Sequence, residues 1–193
     1  MIRALIFDCF GVLYHDRASL LYEVAPEEKH DDLRNIIKAG DYGYITRDEY
    51  YSQIAELVGV DEQKIREINA RQYTRNVELF DRIRELKKQY KVAVLSNVSD
   101  TLLNDLFTQE EQADFFDVFI QSWQEHIIKP AVEIFQITAE RLGVDPSECV
   151  MIDDVAANVE GARLAGMQGI QFVTVQQFER ELDRILETNA RVA

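Results

Sequence analysis

The sequence predicts an α/β protein with a mainly parallel sheet and a helical insertion behind its first strand. Three observations carry this. Short apolar runs near 2–8, 91–96, 117–121, 149–152 and 169–173 have the length and continuity of buried strands. From residue 76 onward these runs alternate with segments of helical period, which makes βαβ units. Residues 15–75 are polar, charged and helical in period, without a clear strand. The expected organisation is a core of residues 1–14 and 76–193, interrupted by a helical subdomain over 15–75. The 193 residues suit one medium domain with such an insertion.

The elements follow in order. Residues 2–8 form a strand that ends on Asp8. Helical pieces are expected near 17–25, 27–39, 47–58 and 61–74. Pro26 suits a first helical turn, where its missing N–H costs nothing. Thr46-Arg47-Asp48-Glu49 has the spacing of a capping box, with Thr46 as N-cap and Glu49 reaching back. Gly40, Gly43 and Gly59 punctuate the joints. A helix near 76–89 carries Leu79, Ile83 and Leu86 on one stripe. The strand 91–96, a helix near 99–108 and the strand 117–121 come next. A helix near 131–142 follows Lys129-Pro130, with Ile134, Ile137, Ala139 and Leu142 at helical spacing. The strand 149–152, a helix near 155–165, the strand 169–173 and a helix near 175–189 complete the chain.

Composition narrows the function. Thirty-five acidic against 21 basic residues give a formal charge of −14, with no basic block. Nucleic acid and anionic membranes are therefore excluded as main partners. A small anionic substrate is compatible, because a local cation and a lysine override a repulsive global field. No uncharged run is long enough to cross a bilayer. Met1-Ile2-Arg3 leads into a strand without a cleavage region, so the expectation is a cytoplasmic protein. Cys9 and Cys149 sit in or beside inner strands and read as buried thiols without metal spacing.

Three of the strands stop at polar residues, and ligands of open α/β sheets collect beyond such ends. Asp8 closes the first strand and is the candidate nucleophile, since a carboxylate can form a covalent intermediate that water hydrolyses. Asp154, with Asp153 beside it, is the candidate metal site. Mg²⁺ favours one or two carboxylates with substrate oxygen and water, and adjacent acids repel unless something compensates them. Ser96 and Asn97 end another strand, where a hydroxyl and main-chain N–H groups can hold phosphate oxygens. The Lys129 ammonium can neutralise both Asp8 and a transferred group. Asn158, one helical turn past Asp154, either orients the acids or simply faces the helix surface. The three histidines share no ligand spacing; His15 lies near the proposed site and either touches substrate or, as the reading favours, has no part in it. Tyr42, Tyr44, Tyr50 and Tyr51 read as core of the insertion.

Together these segments resemble the haloacid dehalogenase superfamily, most of whose members are phosphatases. Phe7-Asp8 through Gly11-Val12-Leu13 is similar to its first motif, Leu95-Ser96-Asn97 to the second and Lys129-Pro130 to the third. Met151-Ile152-Asp153-Asp154, continuing through Asn158 to Gly161-Ala162 and Ala165-Gly166-Met167, is similar to the fourth. The resemblance covers nearly the whole chain. It implies a Rossmann-like, doubly wound core with a small helical cap. It implies an Mg²⁺-dependent phosphatase acting on a small phosphorylated metabolite such as a sugar phosphate, with Asp8 phosphorylated and Lys129 beside it. Substrate is then held by Ser96, Asn97 and Lys129. The metal is held by Asp8, the backbone carbonyl of Phe10 and Asp154, with Asp153 supporting from behind.

The chain departs from the family at Phe10. Phosphatases of the family usually carry a second Asp there, which protonates the leaving oxygen and then activates water. Such help is worth roughly 10²–10⁴-fold in rate. Dehalogenases also place an aromatic residue at this position, which makes a metal-independent 2-haloacid dehalogenase the first alternative. They work without metal, however, and alter the fourth motif. A member that binds metal or phosphate but turns over weakly or not at all is the second alternative. His126 is another departure, standing where the family often has Gly before the lysine; it either narrows the pocket or alters a loop.

Overall fold

The computed structural model describes residues 1–15, 19–71, 73–100 and 102–192. Positions 17, 18, 72 and 101 of the expected helices lie outside them. The chain runs β1 (Ala4–Phe7), β2 (Tyr14–His15), α1 (Ser19–Val24), α2 (His30–Asp41), α3 (Arg47–Val58), α4 (Glu62–Arg71), β3 (Thr74–Arg75), α5 (Val77–Leu86) and β4 (Lys91–Ser96). It continues through α6 (Leu102–Leu106), α7 (Gln109–Phe115), β5 (Val118–Gln121), α8 (Ser122–Glu125), α9 (Val132–Leu142), β6 (Cys149–Asp153), α10 (Ala156–Leu164), β7 (Gln168–Gln171) and α11 (Val175–Val192).

Five strands form one parallel sheet in the order β5-β4-β1-β6-β7. Side chains alternate between its faces. Leu5, Phe7, Val92, Val94, Val150 and Ile152 pack with α5 and α11 on one side. Ala4, Ile6, Ala93, Leu95 and Met151 pack with α9 and α10 on the other. Both faces are covered, which is why these strands read as continuous apolar runs rather than as alternating ones. The chain leaves β1 toward β4 and β5, then returns to β6 on β1's other side. That reversal opens a crevice at the carboxyl end of β1, where Asp8 begins.

The insertion has its own core of Leu21, Leu33, Tyr50, Tyr51, Ile54 and Ile65. The Thr46 capping box is present: Thr46 accepts from the Glu49 N–H, and the Glu49 carboxylate accepts from the Thr46 N–H at 2.7 Å. Tyr50 and Tyr51 join this core, but Tyr42 and Tyr44 stack outside it at 5.2 Å, with Tyr44 exposed.

Three features depart from the sequence reading. The stretch 15–75 is expected to lack a strand, yet Tyr14–His15 pairs antiparallel with Thr74–Arg75 at the stem of the insertion. Two-residue strands carry no periodicity; this pair is fixed by register and by Asn76, which donates to the Leu13 and Val12 carbonyls at 2.9 and 3.1 Å. The helix expected near 99–108 shortens to α6, and α7 follows it, capped by a second box in which Thr108 pairs with Glu111. That signal was legible as Thr-x-x-Glu. The single turn α8 ends on His126 in the left-handed region (φ 55°), a conformation that favours Gly. Among the described residues no helix is long and apolar enough to cross a membrane.

Candidate active site

Asp8 follows β1 directly, and its N–H donates to the Ile152 carbonyl at 2.9 Å. Its Oδ1 accepts from the Cys9 N–H at 2.7 Å. The chain then turns through Gly11 (φ 83°), where a Cβ would collide with the Asp154 carboxylate. A side chain at position 11 is thus excluded twice, by backbone conformation and by the neighbouring acid.

Lys129 precedes α9 and is fully buried. Its Nζ lies 2.8 Å from Asp8 Oδ1 and 2.6 Å from Asp153 Oδ2. Asp153 is also saturated on its other side. Its Oδ1 accepts from the Val155 N–H at 2.9 Å, and Asn158 Nδ2 donates to both oxygens at 3.0 and 3.1 Å. Asn158 is therefore buried against Asp153 rather than on the helix surface. Asp154 differs: its Oδ1 is buried without a hydrogen-bond partner. Oxygens of Asp8, Asp153 and Asp154 lie within 4.8 Å of one another. One ammonium facing three carboxylates leaves two negative charges uncompensated when all are ionised. A hard divalent cation suits such an oxygen donor set, and the bare Asp154 oxygen is the atom that needs one.

Burial pushes Asp8 well above the usual carboxylate range, to about 7, while Lys129 pulls it down and Asp153 pushes it up. Lys129 is raised: burial works against its charge, but Asp8 and Asp153 outweigh it. Asp154 is raised by burial and by Asp153. Burial pushes the Cys149 thiol up to about 12, which keeps it inert at neutral pH.

Asn97 joins the site by its backbone contacts. Its Nδ2 donates to the Lys129 carbonyl at 3.0 Å, and its Oδ1 accepts from the Lys129 N–H at 2.8 Å. Both ends of the amide are thus committed to positioning the lysine. Ser96 is fully buried with an unpartnered Oγ and directly precedes Asn97, Val98 and Ser99, which line the cavity. His15 is exposed on the stem ribbon and does not line the cavity. His126 does not line it either; its Nδ1 lies 2.8 Å from the Tyr42 carbonyl of the insertion.

The cavity measures about 290 Å³ and lies between the core and the insertion. Asp8, Phe10 and Asp154 form part of its core side; Leu21, Ile37, Asp41 and Tyr50 come from the insertion. The Phe10 ring packs against Tyr73 at 4.7 Å, so this position offers an apolar wall. Two residues here escaped the sequence reading. Ser122 accepts from the Val98 N–H at 2.9 Å and donates to the Asp41 carbonyl at 2.6 Å, tying insertion to core. Asp41 places a carboxyl in the cavity, raised by burial to about 7 against the pull of Lys129. Its only sequence signal is an acid in the last turn of a helix, where the macrodipole disfavours it.

A family model described as haloacid dehalogenase-like hydrolase matches residues 2–166. A D-ribitol-5-phosphate phosphatase of Bacteroides thetaiotaomicron is 26% identical over 97% of this chain and 100% of its own length. A sesquiterpene phosphatase of Aspergillus oryzae is 26% identical, over 87% of this chain and 88% of its own. The match spans only 9% to 38% of the length of four other curated relatives. Among solved structures, a HAD family enzyme of B. thetaiotaomicron superposes with a TM-score of 0.80 at 24% identity, covering 90% of this chain and 95% of that one. The same enzyme was also solved with magnesium and inorganic phosphate.

Proposed function

The chain belongs to the haloacid dehalogenase-like hydrolases, and we propose that within them it is an Mg²⁺-dependent phosphatase of a small phosphorylated metabolite. The observation that carries this reading is the buried Lys129, which pairs with Asp8 beside the unpartnered Asp154 oxygen. The full-length phosphatase relative acts on a sugar-alcohol phosphate by its name, which supports a polyol or sugar phosphate as substrate.

Asp8 attacks phosphorus and becomes an aspartyl-phosphate, which water then hydrolyses. Lys129 neutralises charge on Asp8 and on the transferred phosphoryl group, and acts from a dry site where that charge counts for more than in water. The unpartnered Ser96 hydroxyl and the backbone after it hold phosphoryl oxygens, and Asn97 fixes Lys129 in place. Asp8, the Phe10 carbonyl and Asp154 would hold Mg²⁺, which supplies charge neutralisation at the phosphoryl oxygens. Asp153 supports the site through Lys129 and Asn158. The insertion 15–75 acts as a cap over the leaving group and sets specificity.

Phosphate release from a panel of phosphorylated metabolites, with and without Mg²⁺, tests the reading. Asp8→Asn is expected to abolish turnover; full activity in that variant rules the mechanism out. A dehalogenase reading shares Asp8 and tolerates Phe10. The uncompensated acids weigh against it, because a haloacid's own carboxylate would enter a site already short of positive charge. Chloride release from 2-chloropropionate in chelator would reverse that preference.

A further inference from the structure

The reaction proposed above lacks a proton donor on the core side, since Phe10 carries no titratable group and Asp8, Asp153 and Lys129 are committed to one another. Among the described residues the cavity holds one other carboxyl not already in that cluster of acids. Asp41 ends α2, and its backbone is clamped to the core at three consecutive residues. Its carbonyl accepts from Ser122 Oγ, the Tyr42 carbonyl bonds His126, and Gly43 lies so close to the Trp123 carbonyl that a Cβ would collide. The clamp fixes where the Asp41 carboxyl enters the cavity. Among the described residues that carboxyl makes no hydrogen bond or ion pair. It is free to meet a ligand.

In-line displacement places the leaving oxygen on the side of phosphorus away from Asp8. In this cavity the wall facing the core is the cap, and among the described residues Asp41 is the carboxyl the cap contributes. We infer that Asp41 takes the role that position 10 cannot fill, as general acid and then general base. This rests on the phosphatase reading. In the first step an Asp8 oxygen bonds to phosphorus, the P–O bond to the leaving group breaks, and the Asp41 proton passes to that oxygen, releasing an alcohol. In the second step the Asp41 carboxylate takes a proton from water as its oxygen attacks phosphorus. The bond to Asp8 breaks, phosphate leaves and Asp8 returns as a carboxylate.

The groups facing Asp41 are consistent with this role. Asp8 and Asp154 lie on the core side with Lys129 behind them; among the described residues Tyr50 and Tyr73 complete the titratable lining, and His126 is engaged with Tyr42. Burial raises the Asp41 carboxyl to about 7 against the pull of Lys129. A group titrating there exchanges protons in both directions near neutral pH.

The test compares two kinds of ester. p-Nitrophenyl phosphate has a leaving group that departs unprotonated near neutral pH; D-ribitol 5-phosphate and fructose 1-phosphate release alkoxides that need a proton. Asp41→Asn should lower kcat on the faster of the two sugar esters by about 10²-fold or more, while the p-nitrophenolate burst rate changes by less than about threefold. Phe10→Asp introduced into Asp41→Asn should recover sugar-ester turnover. In the wild-type protein, sugar-ester kcat should fall as pH rises past about 7, and the burst rate should not. Equal loss on both substrates, no loss on either, or parallel pH profiles in the wild type overturn the inference. Asp8→Asn separates the two ideas. If that variant is dead while Asp41→Asn keeps full sugar-ester activity, only the role of Asp41 falls. If Asp8→Asn stays active, the phosphatase mechanism falls and Asp41's role with it.

Discussion

Lys129 Nζ donates to Asp153 Oδ2 at 2.6 Å, and both side chains are wholly removed from solvent. Such a pair is weak evidence for stability, because desolvating two ions offsets much of their attraction. It does determine position. With Asp153 also bound by Asn158 and the Val155 N–H, the ammonium has one place to sit, and that place is against Asp8.

Lys129→Met should be strongly destabilising, by about 3–5 kcal/mol, because it leaves two carboxylates buried without their cation. The urea midpoint at pH 8 measures it. The loss should shrink toward pH 5, where Asp8 can take up a proton; a loss independent of pH would mean that packing, not charge, is responsible.

Gly11→Ala should act on the metal site before the fold. The left-handed backbone there costs an L-residue about 1–2 kcal/mol, and the added Cβ pushes into the Asp154 carboxylate. Mg²⁺ affinity, read from the rise in melting temperature with added Mg²⁺, should fall about tenfold or more, on the scale seen when supports of a metal ligand are lost. An unchanged Mg²⁺ response would show that Asp154 does not hold the ion.

Asn97→Ala should lower kcat more than it raises KM. Its amide makes two hydrogen bonds to the Lys129 backbone, and their loss costs about 1–3 kcal/mol of stability. A side chain that directly gripped substrate would instead raise KM at nearly constant stability.

Asp41 gives a pH signature in stability as well as in rate. Its folded carboxyl titrates near 7, above its ordinary 3.8. The protonated form is the one the fold favours, so its contribution is fully present below pH 4 and is lost as pH rises through 7. Asp41→Asn should therefore melt above the wild type at pH 8 without Mg²⁺, and the gap should close by pH 4. A gap of the same size at both pH values would place the carboxyl in solvent.

Much of the sheet was legible because its causes are local. Each inner strand is an apolar run whose two faces are both buried, and Asp8, Ser96 and Asp153 are the polar residues at which those runs stop. The Thr46 box was legible for the same reason, since all its partners lie within one turn. Thr108-Glu111 carries an equal signal, beginning where the helix expected near 99–108 ends. The stem ribbon gave no signal at all, since two residues a side show no period.

By itself the sequence determined which residues end the strands, and hence that Asp8 and the Asp153-Asp154 pair lie at the same edge of one sheet. Tertiary structure alone decided that Asp153 is sealed against Lys129 while Asp154 keeps a bare oxygen, that Asn97 serves the lysine backbone, and that Asp41 enters the cavity from the insertion. The division has a physical cause. Burial patterns and caps are set by neighbours within a few residues, whereas a carboxyl's partner and its pKa depend on segments that only the closed fold brings together.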